Sequence, residues 1–193
     1  MRQENSVSLF GLTLGQSGVT DFKEAAMQNG WQIKEMGHAL DLHCCPILKA
    51  GLGVPGGKAW TTPIPGVENT TVKGVVISGV DSAEFRFFGG KLYQVVYYYE
   101  DEGFECGTAP DATLSGLQSS LAQKYGMPEP EGPNTGIMVW KVGDGTKDEV
   151  RVVLDADCYA ASSVSCRVCY THMAMAEKVA DLAESMLREK MAA

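Results

Sequence analysis

Cysteine and histidine are the residues in this chain whose types and spacing could support chemistry. Its 193 residues include six cysteines and three histidines. Cys166, Cys169 and His172 recur at every third position, so this Cys-x-x-Cys and its histidine could hold zinc or form a redox dithiol. A thioredoxin-like dithiol begins a helix, whereas this motif lies inside an alternating apolar run. The pattern therefore favours structural disulfides, and a zinc-dependent or thiol-dependent enzyme is the alternative.

A disulfide between Cys158 and Cys166 is the bridge that we favour. They flank the turn-like residues 160–164, and a hairpin centred on Ser162 would place them opposite each other, near bridging distance. Cys169 would point to the other face of that strand and needs a different partner. Sequence cannot choose among the possible connectivities. The remaining disulfide candidates are Cys44, Cys45 and Cys106.

The cysteine content and the charge bear on where the protein works. Structural disulfides persist in oxidising surroundings, so we expect a periplasmic or secreted protein whose leader has been removed, with the cytoplasm as the alternative. A net charge of -8 with scattered basic residues argues against nucleic-acid binding. No apolar run reaches the roughly 18–20 residues that a membrane span needs. We expect no cofactor and no bound metal.

Three other patterns could carry chemistry, and each has a simpler interpretation. Asp155 and Asp157 would share one strand face, where an acidic pair can hold a cation, but a solvent-facing pair is the expectation. Residues 51–56 match G-x-G-x-x-G, yet no strong strand precedes them and a proline and glycines oppose the helix that such a site needs. His43 and Cys44 could act as base and nucleophile, but local alternation indicates a solvated strand face.

Hydrophobic periodicity predicts an α+β fold in which antiparallel meander sheets are packed by short helices. One helix passes through Phe22 and ends at Asn29-Gly30, a second ends at Gly126, and a third spans about 173–190. The pattern predicts one compact unit, with two similar halves at about 7–105 and 110–193 as the alternative. Strands are predicted at 7–15, 31–36, 39–43, 72–80, 83–100, 136–142, 150–159 and 164–172.

A hairpin at Phe88-Gly89-Gly90-Lys91 is the clearest structural signal, because Gly-Gly suits a type I′ turn. Strict alternation on either side of this turn assigns each side chain to one of two faces. The first face is predicted to be core and holds Ala83, Phe85, Phe87, Leu92, Val96 and Tyr98. The second is predicted to be solvated or partner-binding and includes Glu84, Arg86, Tyr93, Tyr97 and Tyr99.

A long irregular segment studded with apolar residues is predicted between Cys44 and Thr70. Loops of this length are often binding loops, and tyrosine offers apolar area with a polar tip. We therefore expect a non-enzymatic module that binds another protein or a small ligand in the cell envelope. The predicted binding residues are Trp60, Leu52, Ile64, Tyr93, Tyr97 and Tyr99.

The segment Leu9-Phe-Gly-Leu-Thr-Leu-Gly-Gln-Ser17, followed by a short helix and Gly30-Trp31, resembles part of certain small exported bacterial proteins. These are the outer-membrane assembly lipoproteins of the SmpA/OmlA type and the β-lactamase inhibitory proteins. The likeness covers about twenty residues. It implies a helix-plus-meander fold, in one or two copies, and a non-enzymatic role in binding another protein. The long loop and the C-terminal helix depart from that pattern, and no functional residue carries over.

Overall fold

The computed structural model describes residues 6–37, 64–75, 80, 82–100, 112–130, 137–158 and 164–192. These residues form an α+β fold, as the sequence predicts. The helices are α1 (Val19–Gln28), α2 (Ala112–Tyr125) and α3 (Met173–Ala192). None of these three described helices has the length and apolar character needed to cross a membrane. The strands are β1 (Ser8–Leu9), β2 (Leu12–Thr13), β3 (Gln32–Gly37), β4 (Val67–Lys73), β5 (Ser82–Phe88), β6 (Lys91–Glu100), β7 (Glu129–Pro130), β8 (Met138–Val142), β9 (Val150–Cys158) and β10 (Val164–His172).

Eight described strands form one antiparallel sheet in the order β3-β4-β5-β6-β10-β9-β8-β7, while β1 and β2 form a separate hairpin. Helix α1 precedes the meander β3–β6, and α2 precedes the meander β7–β10. The last strands of the two meanders, β6 and β10, pair with each other at the centre of the sheet. A division into two similar units at 7–105 and 110–193 stays a prediction.

A side chain caps the start of α1, and the ends of α1 and α2 lie where the sequence predicts them. The Gly18 N–H donates to the Asp21 carboxylate at 2.6 Å, which satisfies an amide at the start of α1. Gly30, at φ +67°, and Gly126, at φ +90°, follow the ends of α1 and α2. Both glycines adopt the left-handed conformation that stops a helix.

Two predicted strands have different bounds in the structure. The strand predicted at 72–80 is wrong in its limits, because β4 begins at Val67 and Gly74, at φ +77°, follows its end. This also shortens the irregular segment predicted to reach Thr70. The alternating residues 7–15 form the β1–β2 hairpin, because the backbone reverses at Phe10 and Gly11. Residues 39–43 lie outside the described part of the chain.

The β5–β6 hairpin has the predicted turn but a different register beyond it. Gly89 and Gly90 have φ of +57° and +73°, and Phe88 pairs with Lys91. Phe87 then pairs with Leu92 and Arg86 with Gln94, so Tyr93 is an extra residue between two pairs. Such a bulge moves every later side chain to the other face. The predicted facing is therefore correct for Tyr93 and wrong for β6 after it.

The two faces of the large sheet differ in chemistry. On the helix face, which α1 and α2 cover, Phe22 and Trp31 join Phe85, Tyr97 and Tyr99 in the main apolar core. The opposite face, here called the polar face, carries buried charged and amide side chains. Helix α3 packs on one end of the polar face through a small apolar cluster. This cluster includes Ile64, Val67, Tyr93, Ala176, Val179 and Ala183.

Replacing Phe22 with alanine tests the core on the helix face. The ring is 1 % exposed and lies 4.9 Å from the Phe85 ring, centroid to centroid. We expect Phe22→Ala to lower the free energy of unfolding by about 3–5 kcal/mol, because it leaves a cavity. Met27→Ala on the same helix is the control, since Met27 is 78 % exposed, and urea denaturation measures both. Equal losses in the two variants would contradict this packing.

Candidate functional site

The described members of the predicted binding set lie inside the protein. Tyr93, Tyr97 and Tyr99 are 2 %, 3 % and 6 % exposed, and Ile64 is 1 % exposed. The expectation of an exposed tyrosine face is therefore wrong. The bulge turns Tyr97 and Tyr99 into the core, and Tyr93 and Ile64 pack in the cluster with α3. The other two predicted residues, Leu52 and Trp60, lie outside the described residues.

Burial also fixes the protonation state of the core tyrosines. Desolvation raises the pKa of Tyr97, with Tyr99 and Tyr125 contributing, and it raises the pKa of Tyr99 to about 12. The pKa of Tyr170 is raised for the same reason. These phenols stay protonated at neutral pH, so they can donate hydrogen bonds but cannot act as bases.

The cysteine–histidine set of the alternative hypothesis is spread along β10. Alternation places Cys166 on the helix face and Cys169 on the polar face, and their clusters differ accordingly. His172 lies six residues beyond Cys166, which is about 20 Å along a strand. The structure therefore does not bring these three side chains together. Among the described residues, no group of three possible ligands could hold a metal ion.

The register of β9 and β10 differs from the one that suggested a disulfide. Cys166 lies opposite Ala156, and Cys158 lies opposite Val164. The prediction that the two cysteines face each other is wrong by two positions, because the pairing is centred on position 161 and not on Ser162. Cys166 and Cys169 are both buried. The other disulfide candidates, Cys44, Cys45 and Cys106, lie outside the described residues.

A buried ion pair organises the polar face. The Arg86 guanidinium donates from Nε and Nη2 to the two oxygens of Glu84, each at 2.9 Å. Its Nη1 donates to Gln94 at 2.8 Å, and the Gln94 amide donates to the Thr171 hydroxyl at 2.9 Å. The Tyr98 hydroxyl also lies 3.0 Å from Glu84. The network therefore ties β5 to β6 and β6 to β10.

A second buried pair extends the polar face across β9. Arg167 donates from Nε and Nη2 to one oxygen of Asp155, at 3.0 and 2.6 Å. Asp155 is 7 % exposed, so the expectation that it faces solvent is wrong. Each guanidinium on this face is matched by a carboxylate, which offsets the cost of burying both charges. These described charges therefore hold strands together.

The described surface also contains an open groove of about 430 Å³ between the β1–β2 hairpin and α1. This volume is within the range of small-ligand sites, roughly 300–1,000 Å³. Sequence reasoning noted the segment Leu9–Ser17 but did not identify it as a site, because Phe10-Gly11 is not one of the dipeptides that mark a two-residue hairpin turn. The polar residues that line the groove are Thr13, Gln16, Ser17, Asp21, Glu24 and Gln28.

Hydrogen bonds fix the turn Thr13–Ser17, which follows β2 and forms one wall of the groove. The Thr13 N–H donates to the Ser17 hydroxyl at 2.9 Å, and the Ser17 N–H donates back to the Thr13 carbonyl at 2.9 Å. The same turn is attached to β6, because the Leu92 N–H donates to the Ser17 carbonyl at 2.8 Å. Lys91 Nζ donates to the Gln16 carbonyl at 2.7 Å. The wall is therefore held to the sheet by backbone contacts.

The turn of the hairpin carries backbone strain. Phe10 has φ of +55°, a conformation that costs a bulky residue roughly 1–2 kcal/mol. Its ring packs edge-on against Trp31 at 4.9 Å and Tyr97 at 6.5 Å, centroid to centroid. The core thus holds Phe10 in place beside the groove.

The charge of the groove is acidic. Asp21 and Glu24 lie on α1, and none of the lining residues that the structure describes is basic. Asp21 uses one oxygen to accept the Gly18 N–H, whereas Glu24 is exposed. Such a lining suits a polar or cationic group.

Comparisons with protein-family models, with curated proteins and with solved structures found no match.

The Arg86–Glu84 pair can be tested by breaking it and then removing both charges. We expect Arg86→Met to cost about 3–5 kcal/mol, because it leaves the Glu84 carboxylate buried without its cation. The double variant Glu84→Gln/Arg86→Met should recover most of that loss. Arg188→Met, which breaks an exposed pair with Glu184 on α3, should change stability by less than about 1 kcal/mol. Denaturant titrations that give equal losses at Arg86 and Arg188 would argue against the network.

Proposed function

We propose that this protein is an exported, non-enzymatic binding module that takes a basic, polar segment of a partner protein in the groove between the β1–β2 hairpin and α1. The groove itself is the observation that carries the proposal. It is open, its volume is about 430 Å³, and the described residues of its polar lining include two carboxylates and no basic residue. A lysine or arginine side chain from a partner would pair with Glu24 and with the outer oxygen of Asp21.

The rigidity of the groove supports a binding role. The Thr13–Ser17 turn and the start of α1 are fixed by hydrogen bonds before any partner arrives. A preformed site binds with a smaller loss of conformational entropy than a flexible one. The strained Phe10 agrees with this view, because backbone strain concentrates at functional sites.

The charge of the whole chain supports the choice of a basic partner. A net charge of -8 attracts cationic surfaces over distances up to about the Debye length, near 10 Å at moderate salt. The groove would then provide short-range selectivity through its hydroxyl, amide and carboxylate groups.

Export rests on the cysteine content and on the sequence likeness. Six cysteines in 193 residues are typical of proteins that fold in oxidising compartments. The segment that resembles the SmpA/OmlA-type lipoproteins and the β-lactamase inhibitory proteins, Leu9–Ser17, is also the segment that forms one wall of the groove. The likeness favours a protein-binding role and assigns no residue to it.

Charge reversal at Glu24 tests the groove. The probe is a fluorescent peptide of alternating lysine and serine, with a glutamate–serine peptide of the same length as its negative control. We expect Glu24→Lys to weaken binding of the lysine peptide by about tenfold or more, measured by fluorescence anisotropy, since one charged contact is worth roughly 1.5–3 kcal/mol. Gln28→Ala should produce a smaller loss.

Glu177→Lys is the matched control, because it makes the same change of net charge at an exposed position on α3. It should leave the affinity within about twofold at moderate salt, where distant charges are screened. Equal losses at Glu24 and Glu177 would indicate a general charge effect and would contradict the groove. No measurable binding to the lysine peptide would contradict the basic partner.

Counting thiols tests the exported, disulfide-stabilised state. Protein recovered from an oxidising compartment is denatured without reductant and alkylated, and mass spectrometry counts the labelled cysteines. We expect fewer labelled cysteines than the six in the sequence, with full labelling after reduction. Six labelled cysteines before reduction would contradict structural disulfides. With fewer than six labelled cysteines, peptide mapping of the unreduced protein would identify which cysteines are paired.

A further inference from the structure

We propose that His172 is a pH-sensitive latch: the neutral imidazole holds the Thr13–Ser17 turn against the sheet, and its protonation loosens that turn. This inference concerns the conformation of the turn and holds whether or not the groove binds a basic partner. It rests on the contact between His172 and Gly15, on the burial of the imidazole, and on the charges that face it.

His172 ends β10 and lies directly beneath the turn. The approach is so close that a Cβ atom added at Gly15 would lie 2.5 Å from both Cδ2 and Nε2 of the imidazole. Gly15 itself has φ of +80°, and its N–H donates to the Leu92 carbonyl at 2.8 Å. The ring therefore fills the space under the one position in the turn that has no side chain.

The imidazole is buried in a manner that suits only its neutral form. The His172 side chain is 8 % exposed, and its Nδ1 has no hydrogen-bond partner among the described residues. In the neutral ring one nitrogen carries no hydrogen, so Nδ1 can lack a donor at a smaller cost than a buried charge would carry. Protonation places a hydrogen on both nitrogens and puts a positive charge in this buried site.

The charged groups around His172 lie in the connection before β9, on α3 and at the start of β6. Asp148, in the connection before β9, has its Oδ1 4.0 Å from Nε2, but its side chain is 50 % exposed. Lys178, on α3, opposes a positive imidazole. The described N-terminal residues 6–18 contain no ionisable side chain. Lys91, at the start of β6, donates to the Gln16 carbonyl on the same turn. Compensation for a buried positive charge comes from one half-exposed carboxylate and from the backbone of His172 itself, and desolvation outweighs both.

The balance of these effects sets the direction of the pH response. Desolvation lowers the pKa of His172 in the folded protein, while Asp148 partly opposes that shift. Because the closed turn lowers the pKa of His172, the imidazole binds protons more tightly when the turn is open. The closed turn is therefore fully stable only above about pH 6.5, the ordinary pKa of histidine. Stability is lost as the pH falls from there towards the folded pKa. Acid therefore favours a state in which the imidazole leaves its site and the turn separates from β6.

Loosening of the turn would alter the groove, because Thr13, Gln16 and Ser17 form part of its lining. The hydrogen bonds from Gly15 to Leu92 and from Leu92 to Ser17 report directly on this contact. Their two amides are the probes for the experiment. Amides within the β9–β10 ladder serve as internal references for global unfolding.

NMR-detected hydrogen exchange at about pH 7.5 and about pH 5 brackets the ordinary histidine pKa of about 6.5. After correction for intrinsic rates, protection of the Gly15 and Leu92 amides in the wild-type chain should fall by roughly tenfold at the lower pH. Protection in β9 and β10 should change less. His172→Gln should abolish the selective loss, whereas His38→Gln and His43→Gln, which remove the other two histidines, should retain it.

Asp148→Asn is a second test that keeps the imidazole. Loss of the carboxylate removes a group that raises the pKa of His172, so the loss of protection should move to lower pH. A wild-type turn whose protection does not depend on pH would overturn the latch, and so would a selective loss that persists in His172→Gln. If His172→Gln does not fold, Asp148→Asn decides, and an unshifted transition overturns the proposal. Peptide binding at neutral pH is measured separately, so failure of the latch is distinguishable from failure of the groove.

Discussion

The single-residue bulge at Tyr93 determines which side chains of β6 lie in the core. Because Leu92 pairs with Phe87 and Gln94 with Arg86, the later residues of β6 are displaced by one position relative to β5. Tyr97 and Tyr99 then join the apolar layer beneath α1 and α2. The same displacement places Gln94 between Arg86 and Thr171, where its amide connects three strands. One extra residue thus sets both the aromatic core and the polar network.

The polar face depends on charge matching within the sheet. Arg86 and Arg167 each meet a carboxylate through two nitrogens, and these pairs lie on β5 and across β9–β10. Buried pairs of this kind contribute little net stability compared with apolar residues, but an unmatched charge would be costly. A shift of register between β9 and β10 would separate Arg167 from Asp155, and a shift between β5 and β6 would separate Arg86 from Gln94. These cross-strand contacts therefore favour one alignment of the central strands over others.

The elements of the fold were more predictable than the orientation of their side chains. Glycines at 30, 89, 90 and 126 marked the helix ends and the hairpin turn. These positions need a positive φ, and glycine is the residue that adopts it without steric cost, so the sequence alone identifies them. Alternation predicted the correct faces of β5 and failed on β6, since nothing in Leu92-Tyr93-Gln94 signals a bulge. Asp155 was assigned to solvent because its partner, Arg167, belongs to the neighbouring strand. The groove was missed because it depends on how the hairpin packs against α1.

The central pairing of β6 with β10 has a consequence for how the chain folds. Gln94 and Thr171 are in hydrogen-bond contact although 77 positions separate them along the chain, whereas β4, β5 and β6 pair with their sequence neighbours. Closing so long a loop costs more entropy than forming a local meander, and nonlocal pairing slows folding. The two meanders can therefore form first, and we expect the pairing of β6 with β10 to be the slowest step. If this pairing forms after the transition state, substitutions in it would mainly change the unfolding rate. If the pairing is already present in the transition state, the same substitutions would change the folding rate.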